Sequence, residues 1–249
     1  MIVQHKSDDE DEDLESNPNS IGAQVNRLIG CLSLKIGDVE QVLRPDHEGT
    51  KTTGSVCSVE FVPLGQQRLL TVELLHNMIQ LKKEVLLKPI SVSPLCGNIV
   101  ALVKAYPWNN FLQLKVMSLF TEIIEKSDNE NFRRSFLETS GVAKTLVEMG
   151  NAATYKMESG RAIRNGYMNL VVQISNQLIK KADSKADAAD AEKKEDSVIV
   201  NYLESAGDEW KSFVDDELKK SNENNNRTLG GSTTQKDKES DNEDSNYDV

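Results

Sequence analysis

Residues 106–124 read YPWNNFLQLKVMSLFTEII, from Tyr106 to Ile124, and this stretch decides the fold. Leu112, Val116, Leu119, Phe120, Ile123 and Ile124 recur at spacings that place them on one face of an α-helix. Pro107 stands just ahead, and Asn109 or Asn110 is placed to cap the first turn, where an asparagine oxygen accepts from a free backbone N–H. No other segment shows so clean a helical period, and the stripe is too apolar to stand alone in water. The helix therefore needs neighbours with stripes of their own.

Those neighbours are legible on both sides. Upstream, Ile99, Leu102 and Val103 mark a helix that starts after Pro94 and ends at Tyr106. A short irregular helix at 83–90 is expected to stop at Pro89. Pro63 and Gly65 punctuate the turn into a helix carrying Leu69, Val72, Leu75 and Ile79. Residues 21–43 have helical spacing, weakened by Gly30 and Gly37. Residues 44–58 are rich in Gly, Thr and Ser and read as a loop.

Downstream, Ser127-Asp128-Asn129-Glu130 resembles a capping box with Ser127 as the cap. Phe132, Phe136 and Leu137 follow, with Gly141 as the stop. Val142, Leu146, Val147 and Met149 form the next stripe, ended by Gly150-Asn151. Residues 161–181 read as the last long helix of this block, with Ile163, Tyr167, Leu170, Val171, Ile174 and Leu178 facing inward. Strand signals are nearly absent. Helix, short turn, helix points to an all-α fold, a HEAT- or armadillo-like helical-repeat solenoid with disordered acidic termini. No crisp internal period is visible, so the repeats would be degenerate.

The expected organisation is a disordered acidic leader at 1–20, a helical-repeat domain at 21–181, a flexible linker at 182–196, a C-terminal helical segment at 197–220 and a disordered polar tail at 221–249. The formal net charge of −11 argues against nucleic acid as a partner, because phosphate binding needs clustered Lys and Arg. The pairs Lys82/Lys83 and Arg133/Arg134 read as solvated helix faces. No apolar run approaches the roughly 20 residues that span a bilayer, so membrane insertion is not expected. Cys31, Cys57 and Cys96 make neither a disulfide framework nor a metal pair, and they point to a reducing compartment, cytoplasm or nucleus.

Catalytic, cofactor and metal residues are not found. His5 and His47 have no ligand partner at metal spacing, and His76 reads as a satisfied histidine at the edge of the apolar stripe. Glu73 and Glu122 form no acid–base pair. Cys96 is expected to pack, not react. A protein without catalytic activity is the expectation. Ser7 and Ser240 sit in acidic-directed kinase contexts of a kind common in acidic tails.

Three ordered strings resemble the SAPS family, the regulatory subunits of protein phosphatase 6 and its fungal Sit4-type relatives. The first is Pro63, Leu64, Gly65, Arg68 and Leu69. The second is Tyr106 to Leu112, unbroken. The third is Arg161, Arg164, Gly166, Tyr167 and Met168, and Trp210 with Phe213 adds a weaker match. The resemblance spans roughly 21–215, is firmest at 59–180, and looks like the C-terminal part of the family's domain. It implies a non-catalytic regulatory or scaffold subunit that binds a serine/threonine phosphatase catalytic subunit of the 2A/4/6 type, with further scaffold subunits as additional partners and catalytic metals on the partner. The alternative is a general armadillo-like adaptor that binds no phosphatase. Candidate contact residues are Trp108, Asn110, Arg161, Arg164 and Tyr167. Trp108 reads either as a contact ridge or as a packing residue at a helix start, and Arg68 as a structural contact to a carbonyl or an acid.

Overall fold

The computed structural model describes residues 20–45, 54–56, 59–61, 63–152, 154–156, 162–186 and 198–227. The chain is mostly helical, in keeping with the all-α expectation. The acidic leader apart from Ser20, most of the linker and most of the polar tail lie outside these residues, as do Cys57, His5, His47 and Arg161.

The segment at 21–43 forms two helices, α1 (Ile21–Leu34) and α2 (Ile36–Leu43), parted at Lys35. The Ser20 hydroxyl caps α1 by accepting from the Ala23 N–H at 3.1 Å. A hairpin begins within the expected loop and runs past its end, with β1 (Gly54–Val56) antiparallel to β2 (Val59–Phe61). Gly65, at φ +82°, turns the chain into α3 (Gln66–Gln80), a backbone angle that glycine adopts without strain. Helix α4 (Glu84–Val92) runs straight through Pro89, against expectation. The carbonyl that this proline leaves without a helical donor belongs to Val85, a residue on the exposed side of the helix. Helix α5 (Leu95–Ala105) begins after Pro94.

Helix α6 (Asn110–Thr121) carries most of the apolar stripe, and a wider π-helical turn (Glu122–Lys126) extends it. Leu112, Val116, Leu119, Phe120, Ile123 and Ile124 are all buried. Helix α7 (Glu130–Ser140) is capped by Asn129, not Ser127: the Asn129 side chain accepts from the Phe132 N–H at 2.9 Å. Helix α8 (Val142–Asn151) follows Gly141. A second hairpin pairs β3 (Thr154–Lys156) with β4 (Ala162–Arg164), so the expected long helix does not begin at residue 161. Helix α9 runs Met168–Ala186. Helices α10 (Val198–Ser205) and α11 (Gly207–Phe213) come next, and a second π-turn (Val214–Leu218) leads into α12 (Lys219–Asn226), which reaches into the expected tail.

The helices lie side by side in three rows. One row stacks α1 on α4, α4 on α7 and α7 on α10; a second stacks α2, α5, α8 and α11; a third stacks α3, α6 and α9. The third row continues to α12, where the Asn176 and Asn222 amides exchange two hydrogen bonds of 2.9 and 3.0 Å. Partners along the rows are separated by near-constant steps. Gln80 meets Glu122 42 residues on, Lys104 meets Glu148 44 on, and Asn222 lies 46 beyond Asn176. The step widens to 56 between Thr121 and Gln177, where the β3–β4 hairpin intervenes. Side chains from all three rows interdigitate in one continuous core, from Ile29 to Leu218. Gly150 shows how close the packing is: a methyl group there would meet the ring of Phe213 on α11.

Arg133 reverses its expected placement. It is only 2% exposed. Its Nε donates to the Ile123 carbonyl at 3.1 Å, its Nη2 to the Ser127 carbonyl, and its Nη1 pairs with Glu130 at 2.7 Å. The end of the π-turn leaves carbonyls without helical donors, and a fork of fixed N–H groups reaches two of them. Lys82 is exposed, as expected, and pairs with Asp128 at 2.8 Å.

Candidate partner-binding site

The three sequence strings occupy equivalent places: each leads into a helix of the third row. Because α3, α6 and α9 pack with the same polarity, the strings meet along one edge. Arg68, nearly buried, joins the first string to the second. Its Nη1 donates to the Tyr106 hydroxyl at 2.9 Å, while Nε and Nη2 reach the Val42 and Arg44 carbonyls at 3.4 Å. The expected structural role of Arg68 is therefore what the fold uses.

The second string is held by caps. The Asn109 side chain accepts from the Leu112 N–H at 2.9 Å, and the Gln113 amide donates to the Pro107 carbonyl at 2.7 Å. Asn110, first residue of α6, is exposed. Trp108 packs at the helix start, one of its two anticipated readings. One ring edge packs toward Gly166, yet the side chain remains 54% exposed.

The third string closes on the second at Gly166. A Cβ there would collide with the Pro107 carbonyl oxygen and lie 2.9 Å from Trp108 Cε3, so only glycine allows this approach. Tyr167 is buried. Its hydroxyl donates to the Ala152 carbonyl at 3.3 Å and accepts from the Asn165 amide at 3.0 Å. Burial pushes its phenol pKa up. Arg164, on β4, is exposed and donates from Nη2 to the Ser221 hydroxyl on α12 at 2.7 Å. The structure thus brings Trp108, Asn110, Arg164 and Tyr167 to one edge, with Tyr167 turned inward and Arg164 engaged with α12.

Beside this edge lies a feature the sequence reading did not single out. Leu70 and Leu74 on α3, and Phe111 and Leu114 on α6, are exposed, the last two at 73% and 65%. The signal was present: Phe111 precedes the stripe position Leu112 and Leu114 falls between Leu112 and Val116, both on the opposite side of the helix. A Glu73–Lys115 ion pair of 2.7 Å bridges the two helices.

Beneath the third row sits a polar cluster. The Glu122 carboxylate is buried, with the Gln80 amide and Lys126 ammonium each 3.4 Å from Oε2. His76 Nε2 stands 3.9 Å from the same oxygen and has no hydrogen-bond partner, so this histidine is at the edge as expected but not satisfied. Desolvation lowers its pKa, against the smaller upward pull of Glu122. Cys96 is buried, and desolvation raises its thiol pKa, which keeps it from thiolate chemistry. Among the described residues there is no group of three or more His, Cys, Asp or Glu able to hold a metal. No single helix among them is long and apolar enough to cross a membrane; α4 and α5 reach that length only together, across a 61° bend.

Fold and site together define a mostly helical protein whose third-row helix starts lie along one edge. Residues 90–227 match the family model described as SAPS, SIT4 phosphatase-associated protein. The match covers more than half of the chain, and the chain belongs to the SAPS family. It includes the second and third strings and runs through α12, while the first string lies upstream of it. No curated protein and no solved structure matches the chain.

Proposed function

We propose that this chain is a non-catalytic regulatory or scaffold subunit that binds a serine/threonine phosphatase catalytic subunit of the Sit4/phosphatase 6 type. Membership of a SIT4 phosphatase-associated family supports the partner class. The observation that carries the contact surface is the junction of the three strings along one edge, with Trp108 and Asn110 exposed on it. Half-exposed tryptophan is a typical interface anchor. Arg164 and the buried Tyr167 hold the edge in shape, and catalysis resides on the partner.

The scaffold is an armadillo-type stack of three-helix units: α1–α3, α4–α6, α7–α9 and α10–α12. Three rows and recurring steps of 42 to 46 residues support this reading. Such a stack is stable because each unit buries its stripes against the next.

Affinity capture on the full chain, with mass spectrometry, tests the function. A phosphatase catalytic subunit is expected among the captured proteins. A W108E/N110K variant with an unchanged far-ultraviolet helix signal is expected to lose it. Capture by the wild-type chain of other proteins, but no phosphatase, overturns the reading in favour of a general adaptor.

A further inference from the structure

Four local irregularities meet around one cavity. It holds about 330 Å³, near the lower end of the range for ligand sites. Ile79 and Leu87 give it apolar walls, Glu122 supplies a carboxylate, and Lys82, Ser127 and Asp128 complete the lining, with the exposed Lys82 and Asp128 at its mouth. Glu122 begins the π-turn, a wider winding that recurs at functional sites. Lys82, at φ +52°, is among the described residues the only one besides glycine in the left-handed region, and such strain concentrates where a position has a use. Glu122 is a buried charge, and His76 Nε2, 3.9 Å from it, is a buried polar atom with no hydrogen-bond partner.

The charge on Glu122 is weakly served. Its polar contacts all go to Oε2, and the Gln80 amide and the Lys126 ammonium each stand off at 3.4 Å, longer than the roughly 2.7–3.2 Å of a good hydrogen bond. Lys126 is exposed, so water competes for its ammonium. Oε1 accepts from no group among the described residues. Lys82 does not fill the gap: it pairs with Asp128 at 2.8 Å, and these two charges offset each other at the mouth. A buried carboxylate calls for a cationic donor. A guanidinium suits this cavity better than an ammonium, because it is more weakly hydrated and its planar fork matches a carboxylate.

We propose that this cavity is a binding site for an arginine side chain of a partner protein, with the guanidinium donating to Glu122 Oε1 and the methylenes lying against Ile79 and Leu87. One long side chain occupies a space of this size, and the backbone that carries it stays outside, beside Lys82 and Asp128. The phosphatase edge is at the starts of the third-row helices. The cavity is at the other end of α3, about 20 Å along the helix axis, so the two sites are separate.

The test is a nuclear magnetic resonance titration of the full ¹⁵N-labelled chain with N-acetyl-arginine methylamide, which presents the side chain as a protein does. Saturable shifts are expected at the amides of Leu87, Glu122 and Ser127. The citrulline analogue, equal in shape but uncharged, should bind about tenfold more weakly or worse, and E122Q should weaken the arginine probe to a similar degree. S127Y, which crowds the lining and keeps Glu122, should weaken it too. An unchanged far-ultraviolet helix signal in both variants excludes unfolding as the cause, and the citrulline comparison needs no variant at all. Free L-arginine separates a small metabolite from a protein side chain and should bind no better than the blocked probe. Equal binding of the citrulline analogue, equal binding by E122Q and wild type, binding confined to free arginine, or no saturable shift with the blocked probe each overturn the proposal.

Discussion

Arg68 and Tyr106 are 38 residues apart in sequence, yet the Arg68 guanidinium donates to the Tyr106 hydroxyl at 2.9 Å. That bond ties the start of α3 to the turn before α6 and aligns two neighbouring units of the third row. A hydrogen bond from a charged donor is worth about 1.5–3 kcal/mol, and a nearly buried guanidinium left unpaired costs more. Tyr106→Phe is expected to lower stability by roughly 1–2 kcal/mol and Arg68→Met by more, since the Val42 and Arg44 carbonyls also lose their donor. In urea unfolding the two changes should be non-additive; simple additivity would show that the bond carries no coupling.

Arg133 is the more demanding case. Arg133→Met keeps the packing volume but orphans the Ile123 and Ser127 carbonyls. Each buried orphan costs about 1–3 kcal/mol, so a loss of roughly 2–4 kcal/mol is expected. Exposed Arg134 is the control, with a change inside about 0.5 kcal/mol. Equal effects at the two positions would mean that Arg133 does not hold the π-turn.

Gly166→Ala tests the junction of the second and third strings. The added methyl meets a backbone carbonyl, Pro107 O, which cannot swing aside as a side-chain end could. Overpacking of this kind costs about 1–3 kcal/mol. Thermal unfolding should occur at a lower temperature, and Trp108 emission should shift as its ring is displaced. A variant that melts and fluoresces like wild type rules out the close approach.

His76 gives the chain a pH dependence of definite sign. Its folded-state pKa lies below the ordinary histidine value of about 6.5, so on acidification the unfolded chain takes up the proton first. Stability is lost as pH falls from about 6.5 toward the folded value, and it is flat above that range as far as His76 is concerned. Glu122 pulls the pKa up, while Lys126 and Lys115 push it down. Glu122→Gln should therefore widen the acid-sensitive range, and His76→Gln should remove this component. Denaturant midpoints measured from pH 7.5 to 5 decide it; a His76→Gln profile parallel to wild type counts against the assignment.

What could be read from the chain was local. Gly65, Asn109 and Gly141 mark helix ends because caps and positive-φ turns are decided within a few residues. The stripe on α6 was legible for the same reason. Pro89 misled because its cost depends on the surroundings of the carbonyl it orphans. The hairpin ending at Arg164 was missed because three-residue strands leave almost no alternation to detect. Ser127 lost the cap to Asn129 although both carry suitable side chains, since the helix begins after the turn whose carbonyl Arg133 holds.

By itself the sequence determined the helical class, the inward face of most helices and the strings that mark the family. These follow from helical periodicity and short motifs, which need only near neighbours in the chain. Tertiary structure alone decided that the three strings form one edge, that Arg133 is buried, and that Phe111 and Leu114 stay in solvent beside Leu70 and Leu74. Each of these depends on which segments lie against one another across some 40 to 60 residues of chain. Burial of a charge needs acceptors supplied from elsewhere, and exposure of an apolar face depends on whether any neighbour reaches it; both are properties of the packed rows of helices.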